Sequence, residues 1–318
     1  MTHERGVRSR EYRAPLFFAW QVTNRCRARC LHCCEESGPD KAWPDELTKE
    51  EALQVARQVA KSGVAFAAFG GGEPLDVPFI WEIFDILHAA DIAIRIETNG
   101  HAIDDAAAKR LSGLGIESLQ ISLDGPDKAT HEALRPDGQF DKVVAAFRRL
   151  AQVKLHSEAV FVPTQLNWKK AGRTFEFAAS LGVEKFFTGP MMRLGRGGQA
   201  WPTLRLSAEE WAECQQELEH AAKRHPSVEL VTYPWDILGE LRARRESPQA
   251  MLLMVPNGKV KLLNALPFAC ADLRRHDLGE AWRAYQQAWD SPKVKEFIDR
   301  ALADPGLLRH SNECWELN

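Results

Sequence analysis

The sequence has 318 residues, which is enough for one large α/β domain or two unequal ones with a substantial buried core. Its 41 basic and 44 acidic residues nearly balance, so it offers no polybasic surface and we expect no nucleic-acid partner. The polar first residues and the short apolar stretch 14–20 resemble neither a signal peptide nor a membrane span. We therefore expect a cytoplasmic protein that does not associate with membranes.

Short apolar runs alternate with amphipathic stretches from about residue 15 to residue 190. Runs rich in Val, Ile and Phe, typical of strands covered on both faces, predict strands at 15–23, 64–70, 92–98, 116–123, 157–164 and 183–189. Helical patterns fill the intervals, and the first begins with a capping box from Thr48 to Glu51. Six strand–helix units in succession predict a parallel sheet, either open and curved or barrel-like. In such sheets the chemistry lies at the carboxyl ends of the strands.

The pattern changes after the glycine-rich segment 189–202. A second capping box joins Ser207 to Glu210, and Asn257-Gly258 is a strong turn signal within an apparent hairpin. Helical patterns near 279–289 and 291–302 close the chain. We therefore predict two parts, a core at 1–202 and a smaller α+β region at 203–318.

Four of the seven cysteines lie between positions 26 and 34. A disulfide is the weakest explanation, because cytosolic thiols stay reduced. A structural zinc site usually takes four ligands from two separated pairs. The three thiolates of Cys26, Cys30 and Cys33 instead suit three corners of a [4Fe–4S] cube with one iron open. Cys34 is expected to pack behind the loop as a small apolar side chain.

The segment CRARCLHC, residues 26–33, resembles the cluster loop of radical S-adenosylmethionine enzymes, and it follows a first strand as theirs does. Gly71, Gly72, Glu73 and Pro74 match the family's GGEP segment, which holds the amino group of the methionine moiety. The resemblance implies that these four residues bind the cofactor and that the fold is a partial (βα)6 barrel. A plain turn between a strand and a helix is the alternative for GGEP.

Other strand ends also match the family pattern. ETNG (97–100) and QISLDGP (120–126) end the third and fourth strands. The resemblance makes cofactor-binding candidates of Asn99, Ser122, Asp124, Arg135, Thr164 and Asn167, with Arg193 and Arg196 as weaker ones. For Arg135 the alternative is a solvated surface arginine, and for Thr164 and Asn167 it is a pair of turn-forming polar residues.

The C-terminal region resembles the SPASM or twitch extensions that bind auxiliary clusters in many relatives. Leu263 stands where a cysteine is usual, and only Cys270 and Cys314 remain after residue 250. Two thiolates cannot by themselves hold a cubane, so we expect a twitch-like scaffold without an auxiliary cluster. The alternative is that these two cysteines and another ligand still bind one. Cys214 is expected to pack in a core.

The resemblance implies one [4Fe–4S] cluster, S-adenosylmethionine and an external electron donor such as flavodoxin or ferredoxin. Together they form a 5′-deoxyadenosyl radical that abstracts hydrogen from a substrate. The leading hypothesis is a small polar natural-product or nucleotide-sugar precursor, changed by rearrangement, dehydration, decarboxylation or epimerisation. The alternatives are a ribosomally made peptide as substrate and, from another class, a non-catalytic protein that binds zinc or a cluster.

Overall fold

One mixed sheet runs through the chain. The computed structural model describes residues 9–317, so residues 1–8 of the polar first stretch and residue 318 lie outside the described residues. The strands are β1 (Phe17–Thr23), β2 (Phe66–Gly71), β3 (Ala93–Thr98), β4 (Ser118–Ser122), β5 (Glu158–Phe161), β6 (Lys185–Thr188), β7 (Glu229–Thr232), β8 (Met251–Met254), β9 (Lys259–Lys261), β10 (Phe268–Asp272) and β11 (Trp315–Glu316). Their order in the sheet is β11-β10-β9-β8-β1-β2-β3-β4-β5-β6-β7.

Helices follow most strands of the first part. They are α1 (Lys49–Ala60), α2 (Ile80–His88), α3 (Asp105–Gly113), α4 (Lys128–Leu134), α5 (Phe140–Gln152), α6 (Ala171–Ser180), α7 (Gly195–Gln199), α8 (Trp201–Leu204), α9 (Ala208–Arg224), α10 (Ile237–Glu246), α11 (Leu278–Ala288) and α12 (Pro292–Ala303). Both predicted capping boxes are present, at the starts of α1 and α9. The parallel run β1 to β6, with helices between its strands, confirms the predicted α/β partial barrel. No helix within residues 9–317 is long and apolar enough to cross a lipid bilayer.

The helices cover only one face of the parallel strands. Burial alternates along β1 to β4, so that Leu119 and Ile121 of β4 are buried while Gln120 between them is only half-buried. The expectation of strands covered on both faces was therefore wrong. Apolar residues such as Ala19 and Ala68 also face the concave side, which hides the alternation in the sequence.

The C-terminal part extends the same sheet at both edges. β7 pairs parallel with β6, and β8 pairs parallel with β1, where Phe17 lies opposite Met251. β8 and β9 form the predicted antiparallel hairpin, and Gly258 of its turn has a φ of 81°, a conformation that favours glycine. Both parts contribute strands to one sheet, so the sheet itself does not mark a boundary at residue 202. The division there stays a prediction.

Candidate active site

The segment that follows β1, residues 24–38, is called the cysteine loop below. Its base is closed by a bridge between Arg25 and Gly38, and the backbone N–H of Cys26 donates to the carbonyl of Gly38 at 3.0 Å. The side chains of Cys26 and Cys30 are buried together, and Cys33 packs against them. The loop therefore brings the three predicted cluster ligands onto one shared surface.

The three thiols lie in a low-dielectric environment. Burial raises the pKa of Cys26 and raises that of Cys33 to about 11, so both carry protons at neutral pH until a metal displaces them. Among residues 9–317, no three His, Cys, Asp or Glu side chains converge as the ligands of one metal ion do. A four-iron cube attaches each thiolate to its own iron, which suits three thiols that share a surface without meeting at one point.

Cys34 faces a different part of the molecule. It packs against the main hydrophobic core, away from the surface that the other three thiols share. Burial raises its pKa well above the usual value, which is typical of an unreactive structural thiol. Its expected role as a packing residue stays a prediction.

The glycines of GGEP join the end of β2 to the cysteine loop. The N–H of Gly72 donates to the carbonyl of Thr23 at 2.7 Å, and that of Glu73 donates to the carbonyl of Arg25 at 2.9 Å. A Cβ added at Gly72 would lie 2.1 Å from the carbonyl oxygen of Arg25. The close approach made by Gly72 is to the chain just before Cys26, and the cofactor contacts of these glycines stay a prediction.

The carboxylate of Glu73 connects the ends of β2 and β3. It is buried and accepts hydrogen bonds from the Thr98 hydroxyl at 2.6 Å and from the backbone N–H of Asn99 at 2.8 Å. The side-chain amide of Asn99 lies 3.7 Å from the sulfur of Cys26. Burial raises the pKa of Glu73 to about 7 despite these bonds, and no cation neutralises it among the described residues. A buried carboxylate of this kind is suited to an incoming ammonium group.

The raised pKa of Glu73 predicts a dependence of stability on pH. The protonated form is favoured in the folded chain, so its contribution is complete below about pH 4.5, the unfolded value, and is lost as pH rises through about 7. We expect wild type to lose about 1 to 3 kcal/mol relative to Glu73→Gln across this window, since one pKa unit corresponds to about 1.4 kcal/mol. Urea unfolding of both proteins without cofactor measures the difference. Parallel pH profiles would contradict the assignment.

Arg135 is not a surface arginine. Its side chain is only 11% exposed, and its Nε donates to Oδ2 of Asp124 at 2.5 Å. Its Nη1 lies 3.4 Å from the sulfur of Cys30 and its Nη2 lies 3.2 Å from His32. The backbone N–H of Val162 also donates to Asp124, at 2.8 Å. Asp124 therefore anchors the cation that touches a predicted cluster ligand.

Burial raises the pKa of Asp124, but Arg135 and the neighbouring histidines outweigh burial and hold that pKa below the usual value. Burial also lowers the pKa of His32 to about 4. His32 is therefore neutral at physiological pH, and its Nδ1 is buried without a hydrogen-bond partner in the described structure. The carboxylate and guanidinium carry the charge of this network.

The remaining candidates differ in how accessible they are. Ser122 is half-buried at the carboxyl end of β4, where its backbone pairs with β5, and its hydroxyl makes no hydrogen bond to the described residues. The hydroxyl of Thr164 donates to the side-chain oxygen of Asn167 at 3.1 Å, and the amide of Asn167 donates to the carbonyl of Val162 at 3.0 Å. Thr164 and Asn167 thus brace the turn after β5, and their proposed cofactor contacts stay predictions.

Sequence reasoning overlooked two side chains at this site, Thr98 and His32, and named a third, Arg196, only as a weak candidate. Thr98 bonds to Glu73, His32 borders Arg135, and Arg196 holds the cysteine loop from outside. The signals were present, because Thr98 lies within ETNG and His32 lies between two cysteines. Arg193, the other weak candidate, instead lies 5.9 Å from the ring centroid of Trp201.

The C-terminal cysteines lie in separate surroundings. The thiol of Cys270 donates to the carbonyl of Val260 at 3.4 Å, and burial raises its pKa to about 12. Burial raises the pKa of Cys314 too, although Lys261 and Lys259 act to lower it. Cys214 lies on the inner side of α9 and is fully buried in the core, as expected. Loss of an auxiliary cluster stays a prediction.

Comparisons with known proteins agree with this geometry. The model of the Radical SAM superfamily matches residues 20–178, which is half of the chain. The mycofactocin maturase MftC of Mycobacterium tuberculosis is 29% identical over 214 residues, 66% of this chain and 54% of MftC. The AdoMet-dependent heme synthase of Methanosarcina barkeri is 28% identical over 188 residues, 59% of this chain and 54% of the synthase. The chain thus spans about half the length of the curated relatives it matches.

Solved structures share the fold. Streptococcus suis SuiB bound to the precursor peptide SuiA superposes with a TM-score of 0.72 at 14% identity, covering 93% of this chain and 70% of SuiB. Because 93% of the chain is covered, the likeness extends beyond residue 202 into the second part of the chain.

Proposed function

Since the chain belongs to the radical SAM superfamily, we propose that it reductively cleaves S-adenosylmethionine and uses the resulting 5′-deoxyadenosyl radical to modify a ribosomally made peptide. The observation that carries the radical chemistry is the shared surface of Cys26, Cys30 and Cys33 beside the buried carboxylate of Glu73. An external one-electron donor such as a flavodoxin or ferredoxin is part of the proposal. A carrier protein for zinc or a cluster would need no such carboxylate.

The residues divide the binding tasks between them. Cys26, Cys30 and Cys33 would hold the cluster, and Glu73 would accept the cofactor's ammonium group. The Ser122 hydroxyl, which has no partner among residues 9–317, is free to donate to the cofactor. The cluster and S-adenosylmethionine, when bound, supply a radical able to abstract hydrogen from an unactivated carbon. The surrounding strands orient the substrate and exclude water.

A peptide substrate is supported by the surface beside the site. Three large apolar side chains are exposed among residues 9–317: Leu166 at 43%, Tyr233 at 37% and Trp235 at 36%. All three lie in segments that follow the carboxyl ends of β5 and β7, the edge at which the cysteine loop also lies. β7 is the last strand at its edge of the sheet among the described residues, and an edge strand is where an extended peptide can add by backbone pairing. SuiB, which shares the fold, binds a precursor peptide.

A small polar substrate is the second candidate, supported by the concave face of the sheet. Glu97 lies opposite Gln120, and Gln21 lies opposite Gly70 on the neighbouring strands. A Cβ added at Gly70 would lie 3.3 Å from a carboxylate oxygen of Glu97, so the glycine leaves room for that side chain. Glu97 makes no hydrogen bond or ion pair to the rest of the described chain, and it can serve a polar substrate.

Anaerobic reconstitution tests the radical chemistry. We expect about four irons per chain and formation of 5′-deoxyadenosine after reduction. One equivalent of zinc without cleavage of S-adenosylmethionine would instead favour a metal carrier. Candidate precursor peptides and small polar precursors are then compared for stimulation of 5′-deoxyadenosine formation and for a mass change in the substrate.

The exposed aromatic surface gives a prediction about the substrate. Trp235→Ala removes a ring that lies 5.4 Å from the guanidinium of Arg244 and 6.2 Å from the ring of Tyr233. We expect KM for the peptide to rise about tenfold, as for loss of one aromatic anchor. Cleavage of S-adenosylmethionine without peptide should stay unchanged.

A matched control for this prediction is Trp81→Ala. Trp81 also carries an arginine over its ring, Arg110 at 4.8 Å, but it lies on α2 at the outer face. Its replacement should leave the KM for the peptide unchanged. An equal rise in KM for both variants would show that the Trp235 surface has no special part in peptide binding.

A further inference from the structure

Arg196 bonds to the backbone of the cysteine loop from outside the loop. Nε of Arg196 donates to the carbonyl of Cys30 at 2.8 Å, and its Nη2 donates to the carbonyl of Ser37 at 2.7 Å. Its backbone N–H donates to the carbonyl of Cys33 at 3.0 Å. One residue thus bonds to the backbone of two predicted cluster ligands and to the far end of the loop.

Glycines let the short helix α7 lie directly against the loop. A Cβ added at Gly195 would lie 2.2 Å from the carbonyl oxygen of Cys34, and one at Gly197 would lie 3.0 Å from that of His32. Gly195 also has a φ of 49°, which larger residues rarely adopt. Arg196, between these glycines, is therefore placed by close contact between two backbones.

A residue of the C-terminal part, Asn312, also forms hydrogen bonds with the cysteine loop. The side-chain amide of Asn312 donates to the carbonyl of Cys34 at 2.9 Å and to Glu36 at 3.2 Å. The amide of Gln199 donates to the same carboxylate at 2.6 Å. Glu36 has a φ of 56°, uncommon for a residue with a side chain, so these two amides fix a strained point of the loop.

We infer that Arg196, Gln199 and Asn312, together called the loop clamp, position the cysteine loop for cluster binding. The loop lacks helix or strand between Cys26 and Gly38, and its internal support is slight: the N–H of Cys33 donates to the carbonyl of Cys30 at 3.3 Å, and Cys26 bonds to Gly38 at the base. The clamp bonds to carbonyls and a carboxylate and leaves the sulfurs free. This inference rests on the proposed function, and it gives residue 312 a role that needs no auxiliary cluster.

Variants of Arg196 test the clamp. Arg196→Gln removes both side-chain bonds, whereas Arg196→Lys keeps the positive charge but loses the fork that reaches two carbonyls. The control is Arg224→Gln, which breaks a forked pair with Glu176 on the surface of α9. Asn312→Ala tests separately the hydrogen bonds that Asn312 makes with the loop.

The readouts are iron content after reconstitution, the rate of iron loss to a chelator, and the midpoint potential and electron paramagnetic resonance signal of the reduced cluster. We expect Arg196→Gln and Arg196→Lys to speed iron loss about tenfold or more, as for other residues that support metal ligands, and to shift the midpoint potential. Asn312→Ala should act in the same direction, and Arg224→Gln should match wild type.

The outcomes separate two failures. If wild type binds no cluster, the proposed function fails and the clamp is overturned with it. If wild type binds four irons and both Arg196 variants match its iron loss and potential, the clamp alone is wrong. A variant that unfolds is recognised by circular dichroism before reconstitution, and then Arg196→Lys and Asn312→Ala carry the test. Equal iron loss in Arg224→Gln would also contradict the clamp.

Discussion

We expect that replacing Cys26, Cys30 and Cys33 together by alanine abolishes both iron binding and the formation of 5′-deoxyadenosine. The physical reason is that the three side chains form one surface, so no remaining thiol there can replace them. Iron content measured after anaerobic reconstitution should fall from about four per chain to background. Because the removed side chains are small, we expect the protein to keep its far-ultraviolet circular dichroism spectrum.

Cys34→Ala is the matched control for this loss. Cys34 neighbours Cys33 in sequence but packs against the main core, so its replacement should leave iron content and cleavage near wild type. A loss of cluster in Cys34→Ala alone, with cleavage retained in the triple variant, would move the ligand assignment to Cys34. Loss in both variants would instead mean that the packing behind the loop is also needed.

Local patterns predicted much of the fold. The six parallel strands and the hairpin around Gly258 follow from apolar runs and turn residues that lie within a few positions of each other. β7, β10 and β11 were missed. Glu229–Thr232 is a four-residue segment whose strand state depends on pairing with β6, far away in sequence. β10 likewise depends on β9, and such non-local pairing leaves little trace in composition.

The site was predicted as a set of motifs, but not as a set of contacts. The cysteine spacing and GGEP indicated cofactor chemistry, because those residues are close together in the sequence. The bonds from Thr98 and Asn99 to Glu73 cross from one strand end to another. The pair of Asp124 with Arg135 places a surface-type side chain in the interior, which no local signal reveals. Only the three-dimensional structure shows which polar side chains are already hydrogen-bonded within the protein.

Gly72→Ala is the second change for which we expect a large effect. The added methyl would lie 2.1 Å from the carbonyl oxygen of Arg25 and 2.9 Å from the carbonyl carbon of Asn24, and neither backbone atom is free to turn away. The φ of Gly72 is not in the left-handed region, so this cost is steric and not conformational. We expect the free energy of unfolding to fall by about 3 kcal/mol or more, at the upper end for overpacked sites.

The same substitution should also reduce cluster binding. The backbone bonds from Gly72 to Thr23 and from Glu73 to Arg25 set the position of the chain just before Cys26. Movement of that chain shifts one thiol relative to the other two, so iron should be lost to a chelator faster than in wild type.

Gly113→Ala is the matched control, because a Cβ there meets no atom within 4 Å and the residue ends α3. It should leave stability equal or slightly raised, with unchanged iron release. Equal changes in stability and iron release in Gly72→Ala and Gly113→Ala would show that the close contact at Gly72 does not position the cysteine loop.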